Sequence, residues 1–481
     1  MPDTPPQLPS AARRRLYGAG LRASLFIALL AGLLPDAVRD ATAGAELPPP
    51  AVSTQPDPFA TLDTLNAGRI ASLWSSLPSG EGCDQGTKFD LSGHALLLLE
   101  SSSDRQDLQP GQFSLVEPRH RLQGDATGQW GCVFAQVALQ RQIDAQGDYW
   151  SWDGTALSWR IDPHWRVGAG RIARHWGPGW DGSLILGTAA RPIPSLSIDA
   201  ATGPLADSRW WWWLGEVDAS AFFGVLDGDR NDYANPYLMG LRVVLRPWPW
   251  LEFGVSRTWM WGGEGRDNSF NAFFRALFRN DNRCNDSDCS NQTGNQLFGY
   301  DLRLSLDRWV PGVALYGQLI GEDSRRDNVP LPAKNMVLAG AEWKRHDSLA
   351  FVEWTDSTAN VAGIAYNHHI FSDGYRYRGR PLGYWGDGDS NLWTVGGLVS
   401  DVLGGQALAV LRYGQLNEGG INPSWPDARL QAASLQWRRV FDRVFGLTLA
   451  LDHLSISPRG SGTGDDWRDT QLRVQFDAWF H

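Results

Sequence analysis

The sequence predicts an all-β fold: a transmembrane antiparallel β-barrel of about 18 strands preceded by a short helical segment. Alternation of apolar and polar residues with period two, connections that alternate between short and long, and an exported N-terminus carry that reading. The alternation is clear over residues 297–307, where Phe298, Tyr300, Leu302, Leu304 and Leu306 alternate with Gly299, Asp301, Arg303, Ser305 and Asp307. It recurs at the end of the chain, where Leu472, Val474, Phe476, Ala478 and Phe480 alternate with Gln471, Arg473, Gln475 and Asp477. Leu157, Trp159 and Ile161 follow the same rule, as do Leu251, Phe253 and Val255. Successive side chains of a strand point to opposite faces, so each segment has one apolar and one polar face.

A soluble sandwich would share that period, and the connections separate the two. Short ones fall at residues 162–164, 247–250, 345–348, 403–405 and 441–443. Long ones fall at residues 262–295, 325–334, 359–390, 417–427 and 458–466. Short turns on one side, long loops on the other and a last strand ending at Phe480 fit an outer-membrane barrel. If that last strand ends in the periplasm, the long loops face outward.

Composition supports the class. The 481 residues include 25 Trp and 53 Gly, and Lys and Arg together number 43, of which only Lys88, Lys334 and Lys344 are lysines. Abundant aromatics exclude disorder, and the absence of a strict Gly period excludes collagen. A formal charge of −10, with no basic patch after the opening segment, argues against a nucleic-acid binder. Mean hydropathy is only −0.31, as expected where polar and apolar faces average out.

Residues 1–43 read as a signal peptide. Arg13, Arg14, Arg15 and Arg22 precede an apolar core at residues 23–34, Pro35 breaks it, and Ala41-Thr42-Ala43 supplies a small-residue cleavage site. Residues 44–90 form a Pro-rich linker and a short periplasmic helical segment, in which Leu62, Leu65, Ile70, Leu73 and Trp74 recur at helical spacing. Residues 91–481 are the barrel. Four cysteines in an exported chain suit two disulfides. Cys284 and Cys289 would staple one polar loop, leaving Cys83 and Cys132, although four cysteines allow three connectivities.

No catalytic constellation stands out, and no cofactor or metal site is expected. No G-x-S-x-G or H-E-x-x-H is present, and His368 and His369, if on a strand, would point to opposite faces and could not share a metal. What does stand out is aromatic and guanidinium chemistry in the outward segments. Residues 366–390 combine Tyr366, Tyr375, Tyr377, Tyr384 and Trp385 with His368, Arg376, Arg378, Arg380, Asp387 and Asp389. Aromatic rings pack on the C–H faces of sugars, and Arg and Asp suit sugar hydroxyls and carboxylates. The plainer reading is an interfacial girdle with charges lining a polar lumen. A second segment, residues 174–199, carries Trp176, Trp180 and Arg191 with Pro178, Pro192 and Pro194, which deny the backbone donors a strand needs. It is expected to fold inward or cross the barrel mouth, either constricting the lumen or contacting a ligand.

These segments, WGPGWDGSLILGTAARPIPSLSID and YNHHIFSDGYRYRGRPLGYWGDGDS, together with HDSLAFVEWTDST, resemble the capsule assembly Wzi family of outer-membrane proteins. The resemblance runs from about Thr155 to the end of the chain. It implies an eighteen-stranded barrel with a periplasmic helical plug, acting as a non-catalytic lectin that holds secreted polysaccharide on the cell. The partners it implies are capsular polysaccharide or exopolysaccharide, outer-membrane lipid and the polysaccharide export machinery. A channel for small solutes is the competing function, since wide polar barrels conduct.

Overall fold

The computed structural model describes residues 90–102, 120–144, 147–162, 164–204, 210–269, 271–274, 294–326, 329–346, 348–359, 363–442, 444–459 and 466–480. The expected signal peptide and linker lie outside them, as do Cys83, Cys284 and Cys289. Cys132 is disulfide-bonded.

Strands β1 (Asp90–Ser102), β2 (His120–Trp130) and β3 (Val133–Asp144) open the sheet, followed by β4 (Gly147–Ser151), β5 (Ala156–Arg160) and β6 (Trp165–Arg171). Next come β7 (Pro194–Pro204), β8 (Glu216–Val225), β9 (Tyr237–Trp248), β10 (Leu251–Trp261) and β11 (Gly294–Ser305). Then follow β12 (Val313–Arg326), β13 (Val329–Arg345), β14 (Ser348–Asp356), and a two-residue pair, β15 (Arg376–Tyr377) with β16 (Arg380–Pro381). The last are β17 (Asn391–Val402), β18 (Gly405–Leu416), β19 (Ala428–Phe441), β20 (Phe445–Pro458) and β21 (Trp467–Phe480).

Each barrel strand pairs antiparallel with its neighbours, and β1 pairs with both β2 and β21, which closes the ring. β4 and β5 both pair with β3, at opposite ends of it, and count as one interrupted strand. At the interruption the Thr155 hydroxyl donates to the Ala138 carbonyl at 2.9 Å and accepts from the Ala138 N–H at 3.0 Å, standing in for the missing ladder bonds. Leaving out the β15–β16 pair, the barrel has the expected 18 strands. Among the described residues no helix is long and apolar enough to cross a membrane, and the strands do the crossing.

The alternation resolves as predicted. On β21, Asp469, Gln471, Gln475 and Asp477 are buried on the lumen side, while Leu472, Phe476 and Phe480 are exposed on the outer side. Polar side chains inside and exposed apolar ones outside are the arrangement of a barrel immersed in lipid. Trp159, Trp165, Trp248, Trp250 and Trp309 stand exposed at the short-turn end, as an interfacial girdle does.

The predicted short connections all lie at one end. Leu403 and Gly404 both have positive φ, 52° and 71°, which lets two residues reverse the chain between β17 and β18 in step with the strands' twist. Asp162 closes the β5–β6 turn by accepting from the N–H groups of His164 and Trp165 at 2.7 and 2.9 Å. The connections from β6 to β7, β8 to β9, β10 to β11, β14 to β17 and β18 to β19 gather at the other end.

One expectation is corrected. Residues 325–334 do not form a long loop, because β12 continues to Arg326, β13 begins at Val329, and the two remain paired almost to their tips. This stretch of β13 contains Pro330 and Pro332, which lack the N–H that a paired strand donates. Yet β13 pairs with β14 only from Val337 onward, so the prolines sit where that side of the strand has no neighbour awaiting an N–H.

Candidate functional site

The long-loop end of the lumen is filled from the two segments singled out above. Residues 172–193, between β6 and β7, cross the lumen to the wall formed by β12, β13, β14, β17 and β18. Glu353 on β14 accepts from the backbone N–H groups of Trp180 and Asp181, and also from the Tyr316 hydroxyl on β12 at 2.9 Å. The Trp180 indole donates to Glu342 on β13 at 2.6 Å. Gln318 donates to the Trp176 carbonyl at 2.6 Å and accepts from the Leu184 N–H at 2.7 Å. Asp181 is held by Arg412 on β18 at 2.6 and 2.9 Å, by Thr394 on β17 at 2.7 Å and by the Trp385 indole at 3.1 Å. Burial pushes His175 down to about 4, so its ring is neutral and its Nε2 donates to the Gly179 carbonyl.

The second segment, residues 357–390, lies over the first. The Tyr366 and Tyr375 hydroxyls donate to the carbonyls of Leu184 and Ile185 at 2.6 and 2.9 Å, and the Gly187 N–H donates to Leu382 at 2.7 Å. Inside this segment Arg376 and Asp387 form a buried two-pronged pair at 2.9 and 2.8 Å. Arg376 also reaches Asn367 and Asn422, and Ser424 donates to Asp387. Asp389 accepts from the Gly363 N–H and from Asn422 Nδ2 at 2.7 Å, while burial raises its carboxyl above the usual range. Trp176, Trp180, Leu184, Ile185, Tyr366, Phe371, Tyr375 and Tyr384 pack with lumen-facing Leu338, Phe351 and Leu392 in one apolar cluster.

Five described residues of this segment other than glycine, Ala359, Tyr366, Arg378, Asp387 and Asp389, have φ between 50° and 61°. Side chains with a Cβ rarely adopt that conformation, and it persists where the surroundings over-determine it. Gly374, at φ 73°, has a sharper reason: a Cβ there would meet the Tyr366 carbonyl oxygen and an Arg376 nitrogen, both at 2.2 Å.

The structure therefore divides the predicted glycan contacts. Tyr366, Tyr375, Arg376, Tyr377, Tyr384, Asp387, Asp389, Trp176 and Trp180 are buried and form the body of the plug. They present no face to a polymer. His368, Arg380, Trp385 and Arg191 are half-buried, and Arg378 is exposed at the tip of the β15–β16 hairpin. Arg191 is paired with Asp153 at 2.6 Å and lies over the Tyr149 ring at 4.7 Å.

His368 and His369 also differ from expectation. They lie in a bend and not on a strand, so their rings meet at 4.5 Å in place of pointing apart. No group of three or more metal-ligating side chains occurs among the described residues. What the sequence did not reveal is the set of wall residues that hold the plug: Gln318, Glu342, Glu353, Thr394 and Arg412. Period two marks them as lumen-facing, but nothing local tells which lumen-facing group meets a loop. A third loop, residues 226–236, grips the plug from above, with Arg230 donating to the carbonyls of Arg376 and Gly374 at 2.8 and 3.0 Å.

Comparison with known proteins agrees with this architecture. A solved structure of Wzi from Escherichia coli, described as an outer-membrane protein involved in group 1 capsule assembly and a carbohydrate-binding β-barrel, superposes with a TM-score of 0.65. It is 23% identical and covers 84% of this chain and 86% of its own. OprD of Pseudomonas aeruginosa aligns over 84% of this chain and 98% of its own at 11% identity and a TM-score of 0.46. An uncharacterized 55.8 kDa protein in the cps region of Klebsiella pneumoniae is 30% identical over 281 residues, 54% of this chain, and the match spans about half of that relative's length, 52%. The family of capsule assembly protein Wzi matches residues 119–457, a stretch that includes the inward-crossing loop, the overlying loop and most of the wall that holds them. With the barrel, its loop-built plug and this match in agreement, the chain belongs to the Wzi family of capsule assembly proteins.

Proposed function

We propose that this chain is an outer-membrane lectin that holds capsular polysaccharide or exopolysaccharide at the cell surface without acting on it chemically. The observation that carries the reading is the plug. Two loops with their own apolar cluster and buried ion pair fill the long-loop end of the lumen, an arrangement suited to a fixed surface and unsuited to a solute path. In this reading the long loops face outward, the short turns and the N-terminal segment face the periplasm, and lipid surrounds the exposed apolar wall. Cys132, in the β2–β3 turn, would pair with Cys83 on the periplasmic side, and Cys284 would pair with Cys289 outside. Glycan contact falls to the outward members of the predicted set, His368, Arg378, Arg380, Trp385 and Arg191, while the buried members hold them in place. Contact with the export machinery would use the short-turn end.

Deleting the gene should move polysaccharide from the cell surface into the medium with total production unchanged. Cell-bound polysaccharide equal to that of the parent would sink the lectin reading. The channel alternative makes the opposite electrical forecast: steady open-channel steps from the purified barrel in a planar bilayer would favour it.

A further inference from the structure

The outer wall of the barrel changes character on three neighbouring strands. Towards the long-loop end, the outer faces of β14, β17 and β18 carry Trp354, Trp393 and Tyr413, which are cross-strand partners in that order. The outer faces of β8, β9 and β10 carry Phe223, Tyr237 and Trp261, in contact at 5.2 and 5.0 Å between ring centres, while the neighbouring Phe222, Leu238 and Met260 face the plug. Aromatic rings are the usual occupants of a barrel's border between lipid and water. On β19, β20 and β21 the same half of the outer face has no Trp, Tyr or Phe. Their outer faces run from exposed Phe441, Phe445 and Phe480 at the short-turn end through Leu435, Leu451 and Leu472. Beyond these stand His453, then Gln431, Ser455 and Thr470, then Arg429, Ser457 and Arg468. The last three lie equally far along their strands from Phe441, Phe445 and Phe480, so they form one tier. A tilted strand crosses the hydrocarbon in about 9 to 11 residues, which puts that tier just past its outer border.

The charges of this tier are weakly engaged within the chain. Arg429 is exposed and pairs with no carboxylate among the described residues. Arg468, with 68% of its side chain exposed, meets Asp466 at 3.5 Å. Arg459, past the end of β20, donates to Gln415 at 2.8 Å, and Gln415, the register partner of Arg429, donates in turn to Asp427 at 2.6 Å. Asp427 and Asp466 both stand on the loop side of the tier, so the side nearest the acyl chains presents guanidinium, imidazole, hydroxyl and amide groups and no carboxylate. His453 is steadied there by the Thr470 hydroxyl, 2.9 Å from its Nδ1. Cations held this close to hydrocarbon are favoured where anionic head groups meet them. Guanidinium forks take phosphate oxygens two at a time.

We propose that the outer face of β19–β21, centred on Arg429 and Arg468, is a docking surface for a phosphorylated glycolipid of the outer leaflet. The two arginines are two strands apart, on the order of 10 Å, which suits phosphates at the two ends of a sugar head. Ser455, Ser457, Gln431 and Thr470 lie between and below them for the sugar hydroxyls, and the leucines beneath meet the acyl chains. The inference takes from the proposed function the outward orientation of the long loops and does not depend on glycan binding. The probes are bisphosphorylated lipid A and the same lipid with its phosphates removed. Binding to the delipidated, detergent-purified full chain is read by native mass spectrometry, with heat-modifiable gel mobility confirming a folded barrel. The phosphorylated lipid should bind at least ten-fold more tightly than the dephosphorylated one. Arg429→Gln with Arg468→Gln should erase most of that preference, and Arg429→Lys with Arg468→Lys, which keeps the charge and loses the fork, should erase part of it. Arg141→Gln, which removes an exposed arginine of β3 paired with Asp148 at 2.6 Å, should leave it unchanged.

Equal binding of the two lipids, or of neither, overturns the proposal. A preference that survives in the double glutamine variant, or that falls as far in Arg141→Gln, shows that phosphate is not read by this tier and overturns it too. Full competition by millimolar inorganic phosphate would assign the arginines to a soluble anion, and loss of polysaccharide binding in the variant with lipid binding intact would assign them to the glycan; either result sinks the lipid site. Orientation is read separately, by labelling Arg378→Cys on intact cells with a membrane-impermeant maleimide. Labelling above the parent's background supports the outward loops, so that a missing lipid preference then counts against the site alone. Absence of labelling places the long loops in the periplasm and overturns the orientation together with the site.

Discussion

The two plug segments solve the same problem in opposite ways. Residues 172–193 carry polar backbone into the lumen and satisfy it with the barrel wall: Glu353 and Gln318 take N–H groups, and Arg412 and Thr394 take Asp181. Residues 357–390 satisfy their buried charges largely among themselves, through Arg376 with Asp387 and Asp389 with Gly363, and take further partners from Asn422 and Ser424 of the β18–β19 loop, Arg230 of the β8–β9 loop, the lower segment and Glu322 on β12. The lower segment is thus specified mainly by the wall, and the upper one mainly by its own sequence and the loops beside it. A buried loop with unpaired backbone groups would be unstable, so each solution is a condition for a closed lumen. Its lighter anchorage to the wall leaves the upper segment to carry an outward surface, where His368, Arg378, Arg380 and Trp385 of the candidate contacts lie.

Breaking the wall's side of the comparison should have the largest effect. Glu353→Leu leaves three donors without their acceptor: the N–H groups of Trp180 and Asp181 and the Tyr316 hydroxyl. Each buried donor so stranded costs about 1 to 3 kcal/mol, so the lower segment should release from the wall while the strands remain paired. The expected readout is new protease cleavage within residues 172–193 together with fluctuating conductance in a planar bilayer. A variant as protease-resistant and as silent as the parent would show that the remaining anchors suffice.

The upper segment should break more locally. Arg376→Met leaves the Asp387 carboxylate buried with only Ser424 and the Gly388 N–H for support. Removing one partner of a buried ion pair costs about 3 to 5 kcal/mol, and replacing both often costs far less. Arg376→Met combined with Asp387→Leu should therefore recover part of the loss. The measurement is protease protection of residues 363–390, and a double variant worse than either single one would contradict the argument.

An acid titration compares the two segments directly, because each holds a buried histidine shifted below its ordinary value, His368 in the upper and His175 in the lower. The pKa of His368 is about 3 in the folded protein, below its ordinary value of 6.5, so folding favours the neutral ring. The stability this contributes is complete above pH 6.5 and is lost progressively as the pH falls from there toward 3. His175, at about 4 in the lower segment, follows the same slope down to pH 4, so protease protection of both segments should decline together from pH 6.5 to 4, and only residues 363–390 should lose more below that. His368→Gln should flatten the decline.

These differences explain which parts of the molecule the sequence disclosed. Period two is local, so the faces of β21 could be read from neighbouring residues, and the prolines at 178, 192 and 194 marked an interruption wherever the chain went next. The roles of Tyr366, Arg376 and Trp180 were not local. Trp180 meets Glu353 173 residues away, and Asp181 meets Arg412 231 residues away. Tyr, Trp, Arg and Asp in an outward loop have the same composition whether they face a glycan or each other, and only the fold distinguishes the two. The extent of β12 and β13 was non-local in the same sense, since the cost of Pro330 and Pro332 in a strand depends on whether a neighbouring strand awaits their N–H.

The smallest effect should come from the outward tip. Arg378 is exposed and Arg380 half-buried at the two sides of the β15–β16 turn, at the outward tip of the segment. Replacing either with Ala should leave protease protection and barrel mobility unchanged, since loop tips contribute little to stability. If they touch polysaccharide, each loss costs about 1 to 2 kcal/mol, a factor of roughly five to thirty in the affinity of a single site. A polymer bound by many barrels at once masks such a loss, because weak contacts sum through effective concentration. Single variants should therefore retain nearly normal polysaccharide on cells, and the pair should release it measurably into the medium. The masking itself is testable: with short oligosaccharides cut from the same polymer, each engaging one barrel, the single variants should show their full loss of affinity. Unchanged oligosaccharide affinity in the Arg378→Ala, Arg380→Ala pair would confine these arginines to shaping the hairpin and shift glycan contact to His368, Trp385 and Arg191.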